Sequence, residues 1–103
     1  MRQFDVFPNP SPRARAEIPY VVTLQSHFLS NCPTQLVAPL IIADAHSAYS
    51  EVSVQVKVMG SDFSLTLTEL SSLKVSLLRE AIGSLTAYED DIRRALDRLF
   101  TGF

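Results

Sequence analysis

Ser84 to Phe103 reads SLTAYEDDIRRALDRLFTGF, and the rest of the chain is arranged around it. Leu85, Tyr88, Ile92, Ala95, Leu96, Leu99 and Phe103 recur at steps of three and four, so an α-helix lines them along one stripe and leaves the acids and arginines on the other side. Thr86 with Glu89 three residues on has capping-box spacing, and Ser84 is a competing N-cap. Glu89, Asp90 and Asp91 precede Arg93, Arg94 and Arg98, the order the helix dipole favours, and Glu89–Arg93 and Asp90–Arg94 stand four residues apart. Exposed pairs of this kind contribute only about 0.3–0.5 kcal/mol each, so the apolar stripe must be packed against something else. Gly102 is suited to end the helix in a left-handed conformation. Phe100 and Phe103 at the end of the chain leave two readings open: rings tucked into the core or a dimer seam, or a presented contact tip.

The 103 residues bound a single domain, 1–103, able to bury a core without metal or disulfide. A formal charge of −2 argues against a protein held on a phosphate backbone by electrostatics. Arg2-Gln3-Phe4-Asp5 lacks the apolar segment of a secretory signal, and no apolar run reaches the roughly 20 residues of a membrane span. A cytoplasmic protein is expected, and the single Cys32 agrees with a reducing compartment.

Upstream of the helix the pattern is β. Arg2 to Phe7 alternates, with Gln3 and Asp5 opposite Phe4 and Val6. Pro8, Pro10 and Pro12 then make Pro8 to Arg15 a surface loop. Ile18 to Gln25 is a second strand, rich in β-branched residues. Ser26 to Thr34 is a loop holding the apolar pair Phe28-Leu29, which either folds back on the core or meets a partner. Gln35 to Ile42 is strand-like, with Pro39 marking an edge or a bulge. Ala43 to Ser50 is turn-like. Glu51 to Val58 alternates strictly, and Met59-Gly60-Ser61-Asp62 turns it into Phe63 to Leu67 as a hairpin. Thr68 to Ser72 turns again, and Leu73 to Leu78 is a last strand. Five or six short antiparallel strands followed by one helix suit a small, partly open barrel or curled sheet with the helix packed across it.

Catalytic chemistry has little support. His27, His46 and Cys32 show no metal-ligand spacing, and pairing Cys32 with either histidine as a nucleophile has no geometric basis. Glu89, Asp90 and Asp91 are explained by the helix start. The three scattered glycines form no phosphate loop. A ribonuclease needs a base, an acid and cations around a phosphate, for which His46, Arg13 and Arg15 are candidates by type only. The residues point to a protein-binding module rather than an enzyme, with no cofactor.

The chain also resembles the CcdB family of toxin–antitoxin systems. The resemblance is carried by Gln3-Phe4-Asp5-Val6-Phe7, Val22-Thr23-Leu24-Gln25-Ser26, Leu36-Val37-Ala38-Pro39-Leu40 and the end from Leu77 to Phe103, within which Leu85-Thr86, Glu89-Asp90-Asp91-Ile92 and Phe100-Thr101-Gly102-Phe103 stand in register. Pro8 to Arg15 and Ala43 to Ser50 match poorly. The resemblance implies a five-stranded antiparallel sheet with an SH3-like barrel core, a small added sheet and a C-terminal helix, assembled as a homodimer. It also implies a toxin that binds the DNA gyrase A subunit and traps the cleaved-DNA complex, neutralised by a CcdA-like antitoxin that is a short, disordered acidic segment. The family's gyrase-poisoning Trp-Gly-Ile tripeptide corresponds here to Thr101-Gly102-Phe103, with Asp97 and Phe100 beside it, and the loop shared with the antitoxin corresponds to His27, Phe28, Leu29 and Ser30. Phe103 keeps apolar bulk and Phe100 the preceding aromatic, while Thr101 lacks the family's tryptophan ring. Alternatives are an endoribonuclease toxin of the MazF/Kid kind on a similar barrel, and a homologue that binds antitoxin without poisoning.

Overall fold

A computed structural model describes residues 2–29, 31–42 and 52–102. Among the described residues seven strands form one antiparallel sheet, where five and a small added sheet were expected: β1 (Asp5–Pro8), β2 (Tyr20–Thr23), β3 (Thr34–Ile42), β4 (Ser53–Val58), β5 (Ser61–Thr66), β6 (Ser71–Lys74) and β7 (Gly83–Ser84), followed by the helix α1 (Glu89–Thr101). Their lateral order is β4-β5-β3-β2-β1-β7, with β6 also beside β3. The sheet curls into a half-barrel with α1 across it, the architecture expected.

Adjacent residues of the central strands point to opposite faces, so each strand supplies two apolar clusters. Val6, Val22, Ala38 and Leu40 enter the main core, where Ile92 and Ala95 of α1 meet Val54, Val56 and Leu65. Phe7, Val21 and Val37 join Leu78 in a smaller cluster on the opposite face. β2 and the Val37–Leu40 stretch of β3 are therefore buried on both sides, which is why that stretch reads as an apolar run. β4 is covered on one face only and alternates buried with exposed from Val54 to Val58.

β3 is the spine. Val37 to Leu40 pair with β2 on one side, while on the other Thr34 to Val37 pair with β6 and Leu40 to Ile42 with β5. Pro39 is buried and falls where that far-side partner changes from β6 to β5. Neither an edge strand nor a bulge was needed: the gap between two partners spares the ladder a donor that proline lacks.

The other boundaries shift for identifiable reasons. The first strand begins at Asp5 rather than Arg2, because the Arg2 amide donates to Asp5 Oδ2 at 2.9 Å and turns the chain. Phe4, fully buried, takes φ 69 there, with its amide on the Thr23 carbonyl and its carbonyl accepting the Leu85 amide at 2.8 Å. The hairpin loop is the two residues Met59-Gly60, both at positive φ as a type I′ turn demands, so β5 starts at Ser61. The last expected strand is displaced to β6, with Val75–Leu77 a 3-10 turn. β7, missed in the sequence, is two residues on β1. The turn expected over Ala43 to Ser50, and Glu51 at the start of the expected strand, lie outside the described residues.

The helix start also differs. Thr86–Tyr88 form a 3-10 turn ahead of α1, and Thr86 hydrogen-bonds Ser84 side chain to side chain at 2.7 Å. Tyr88, not Thr86 or Ser84, occupies the N-cap, without a side-chain cap bond, so the capping box does not form. The acids of the first turn remain to favour the dipole. Arg93 pairs with Glu89 at 3.2 Å as expected, while Arg94 pairs with Asp91 at 3.6 Å, three residues back rather than with Asp90.

Candidate protein-binding site

The last turn of α1 presents Asp97, Phe100 and Thr101 as neighbours, since three- and four-residue steps share a helix face. All three are exposed, and Phe100 is 68% exposed in spite of its apolar ring. The helix runs through Thr101, whose Oγ1 donates to the Asp97 carbonyl at 2.6 Å. Gly102 then closes it at φ 81, its amide donating to the Arg98 carbonyl at 3.1 Å. That conformation favours glycine, and the space where a Cβ would stand is open. In the single chain, Phe100 is not tucked into the core. Phe103 lies outside the described residues.

A second apolar feature comes from the 3-10 turn His27–Leu29 after β2. Ser26 starts it twice over: its carbonyl accepts the Leu29 amide at 2.8 Å and its Oγ accepts the Phe28 amide at 3.2 Å. The Leu29 carbonyl accepts from Gln25 Nε2 at 3.3 Å, from Gln35 Nε2 at 3.4 Å and from the Cys32 amide at 3.1 Å. Gln25 Oε1 also takes the Leu36 amide at 3.2 Å, tying the turn to β3. Thus anchored by its backbone, the turn holds Phe28 at 89% exposure and Leu29 at 50%. Of the two readings of this pair, folding back on the core is not what the structure shows. His27 lies in the turn, and Ser30 falls outside the described residues.

Arg13 and Arg15 are exposed in the loop after β1, and His46, named with them as a ribonuclease candidate by type, lies outside the described residues. That loop is organised by buried Asn9, whose Nδ2 donates to the Ile18 carbonyl at 2.8 Å and whose Oδ1 accepts the Ser11 amide at 3.0 Å. Among the described residues, no group of three or more His, Cys, Asp or Glu side chains is placed to hold a metal ion. Nor is any helix among them long and apolar enough to cross a membrane.

Two features escaped the sequence reading. The Tyr88 hydroxyl lies on the backbone of the edge strand β4, and an apolar groove rimmed by Arg15 and Arg79 opens beside β2. Both join residues from segments far apart in sequence, and no local pattern announces either.

The fold is shared with the solved structure described as "Crystal structure of Mtb toxin", at TM-score 0.69 and 19% identity, covering 82% of this chain and 97% of that one. No curated protein matches the chain. The family of the CcdB protein matches residues 3–102, which takes in the buried Phe4, the turn that presents Phe28 and the glycine that closes α1. With that match across nearly its whole length, the chain belongs to the CcdB family of toxin–antitoxin toxins.

Proposed function

We propose that this chain is a non-enzymatic, homodimeric toxin of the cytoplasm that binds the DNA gyrase A subunit and traps its cleaved-DNA complex, until a CcdA-like antitoxin neutralises it. Within the family frame, the observation that carries the reading is Phe100: an aromatic ring held in solvent on the last helical turn, next to the residues that correspond to the family's poisoning tripeptide. An exposed aromatic on a rigid element loses little conformational freedom on binding and suits a contact anchor. Thr101 offers no ring, and its hydroxyl is already engaged with Asp97, so Phe100 and Phe103 with Gly102 are the residues left to fill a cavity. Asp97 lies at the edge of that contact. The turn of His27, Phe28, Leu29 and Ser30 supplies a second apolar contact, to antitoxin or gyrase.

The mechanism is binding energy without chemistry. Contacts made only to the cleaved state of gyrase shift its cleavage–religation balance toward cleavage, by as much as the difference in affinity for the two states. The test is purified gyrase with supercoiled plasmid and ATP. Linear DNA after denaturation, lost when residues 101–103 are deleted from a protein of unchanged melting temperature, is the expected result. Binding without linear product makes the chain a non-poisoning homologue, and absence of binding rejects gyrase as target and calls for an RNA-cleavage assay.

A further inference from the structure

Beside the start of β2 lies an open groove of about 490 Å³, built by five separate segments of the chain. Its floor is Pro8, Pro19, Tyr20 and Ile82, all half-buried, and its rim carries the exposed Met59 and two exposed cations, Arg15 and Arg79. Tyr20 is fixed edge-on against Phe63, with ring centroids 5.5 Å apart at 81°, so the floor is formed before anything binds. Arg15 is aimed through its Nε, which donates at 2.7 Å to the carbonyl of Asn9, itself locked in the loop. That bond leaves the two terminal amino groups of the guanidinium for a ligand. No carboxylate lines the groove, and among the described residues neither Arg15 nor Arg79 is in an ion pair.

Two cations without counter-charges over a preformed apolar floor select a ligand with an anionic group next to an apolar one. We propose that this groove docks an acidic peptide segment, one carboxylate on each arginine and an aliphatic side chain between them on the floor, and that the segment belongs to the antitoxin, a refinement that rests on the toxin–antitoxin reading above. A nucleic acid fits less well. Its affinity comes from a row of phosphate contacts, whereas this groove has two cations on a chain of formal charge −2. Arginine also recognises a carboxylate by two parallel hydrogen bonds, a match that a short acidic peptide can exploit at each rim position.

The experiment uses the full chain, 15N-labelled, with acetyl-Glu-Leu-Glu-Leu-amide as probe and its Gln-Leu-Gln-Leu counterpart as control. Saturable shifts of the Tyr20 and Ile82 amides are expected with the acidic probe, and binding at least five-fold weaker with the neutral one. Arg15→Gln and Arg79→Gln should each weaken the acidic probe at least three-fold at low salt, in proteins whose spectra remain those of the folded wild type. Equal binding of both peptides, no saturable shift, or shifts centred on Phe28 and Phe100 overturn the proposal. So does a ten-nucleotide oligothymidylate that shifts the same amides more strongly than the peptide. Gyrase cleavage by the wild-type protein reads the poisoning function separately: cleavage with an empty groove sinks the groove alone, and no cleavage sinks gyrase poisoning whatever the groove binds.

Discussion

The hydroxyl of Tyr88 accepts the backbone amide of Lys57 at 3.1 Å, across 31 residues of sequence. Among the described residues β4 ends its side of the sheet and pairs with β5, and the outward Lys57 amide takes a side-chain partner in place of a ladder bond. Tyr88 satisfies it while its ring packs on the main core, and Lys57 pairs with Asp62 at 3.8 Å on the same strand pair. An amide capped by a side chain and a lysine at the edge both oppose pairing with another chain. Tyr88→Phe keeps the ring and removes the cap. It should cost about 0.5–1.5 kcal/mol in urea denaturation and hasten aggregation on incubation just below the melting temperature.

α1 divides its residues sharply between packing and presentation. Ile92 is fully buried in the main core, on the helix that packs against β4, and Ile92→Ala should destabilise by about 2–5 kcal/mol. Phe100→Ala, about two turns further along on the exposed face, should change stability by less than about 0.5 kcal/mol and abolish gyrase cleavage. Urea titrations of both variants, run beside the cleavage assay, separate the two roles. A comparable stability loss for Phe100→Ala would place that ring in a core.

Position 101 tests the departure from the family's tripeptide. Thr101→Trp exchanges the bond to the Asp97 carbonyl for an exposed indole, at the position where the family carries one. If a ring there strengthens the gyrase contact by about 1.4 kcal/mol, cleavage appears at roughly a tenth of the protein concentration. The concentration giving half-maximal linear DNA is the measurement, and an unchanged value would assign anchoring to the phenylalanines.

Met59 stands at φ 51 in a turn whose two residues both need positive φ. Its side chain is exposed, so the strained backbone is not offset by burial. Met59→Asn supplies a residue at ease in that conformation and should stabilise by about 0.5–1 kcal/mol, read as a higher melting temperature. Gly60 at φ 81 should not be changed with it.

What the sequence made legible was pattern held within one segment. The strict alternation of β4, the hairpin after it and the apolar stripe of α1 each follow from a period that a single stretch displays. The exposed pair Phe28-Leu29 and the exposed Phe100 were candidates for the same reason: apolar side chains stood where no period needed them. Legibility failed where the decisive partner is remote. β7 is Gly83-Ser84, with almost no side chain to signal a strand, and exists because β1 has an open edge. The Thr86–Glu89 spacing matched a capping box, yet the bond from Leu85 to the Phe4 carbonyl fixes a 3-10 turn and carries Thr86 out of the cap position. Pro39 looked like a flaw in a strand because the change of neighbour from β6 to β5 is a property of the assembled sheet. The groove between Arg15 and Arg79 was invisible for the same reason, its walls coming from stretches that share no motif.

The three borders of β3 also decide how the molecule comes apart. Thermal fluctuation can fray β7 or lift β6, since each leans on one neighbour and little else. No such partial excursion is open to β3, because releasing it severs β2, β5 and β6 together and empties both apolar clusters. The amides it pairs with β2 therefore exchange with solvent hydrogen only when the whole chain unfolds, while those facing β6 exchange when that strand lifts, which makes the β2 side of this strand the place where hydrogen exchange reads global stability directly. Pro39, with no amide to exchange, is a silent position in the middle of that reporter.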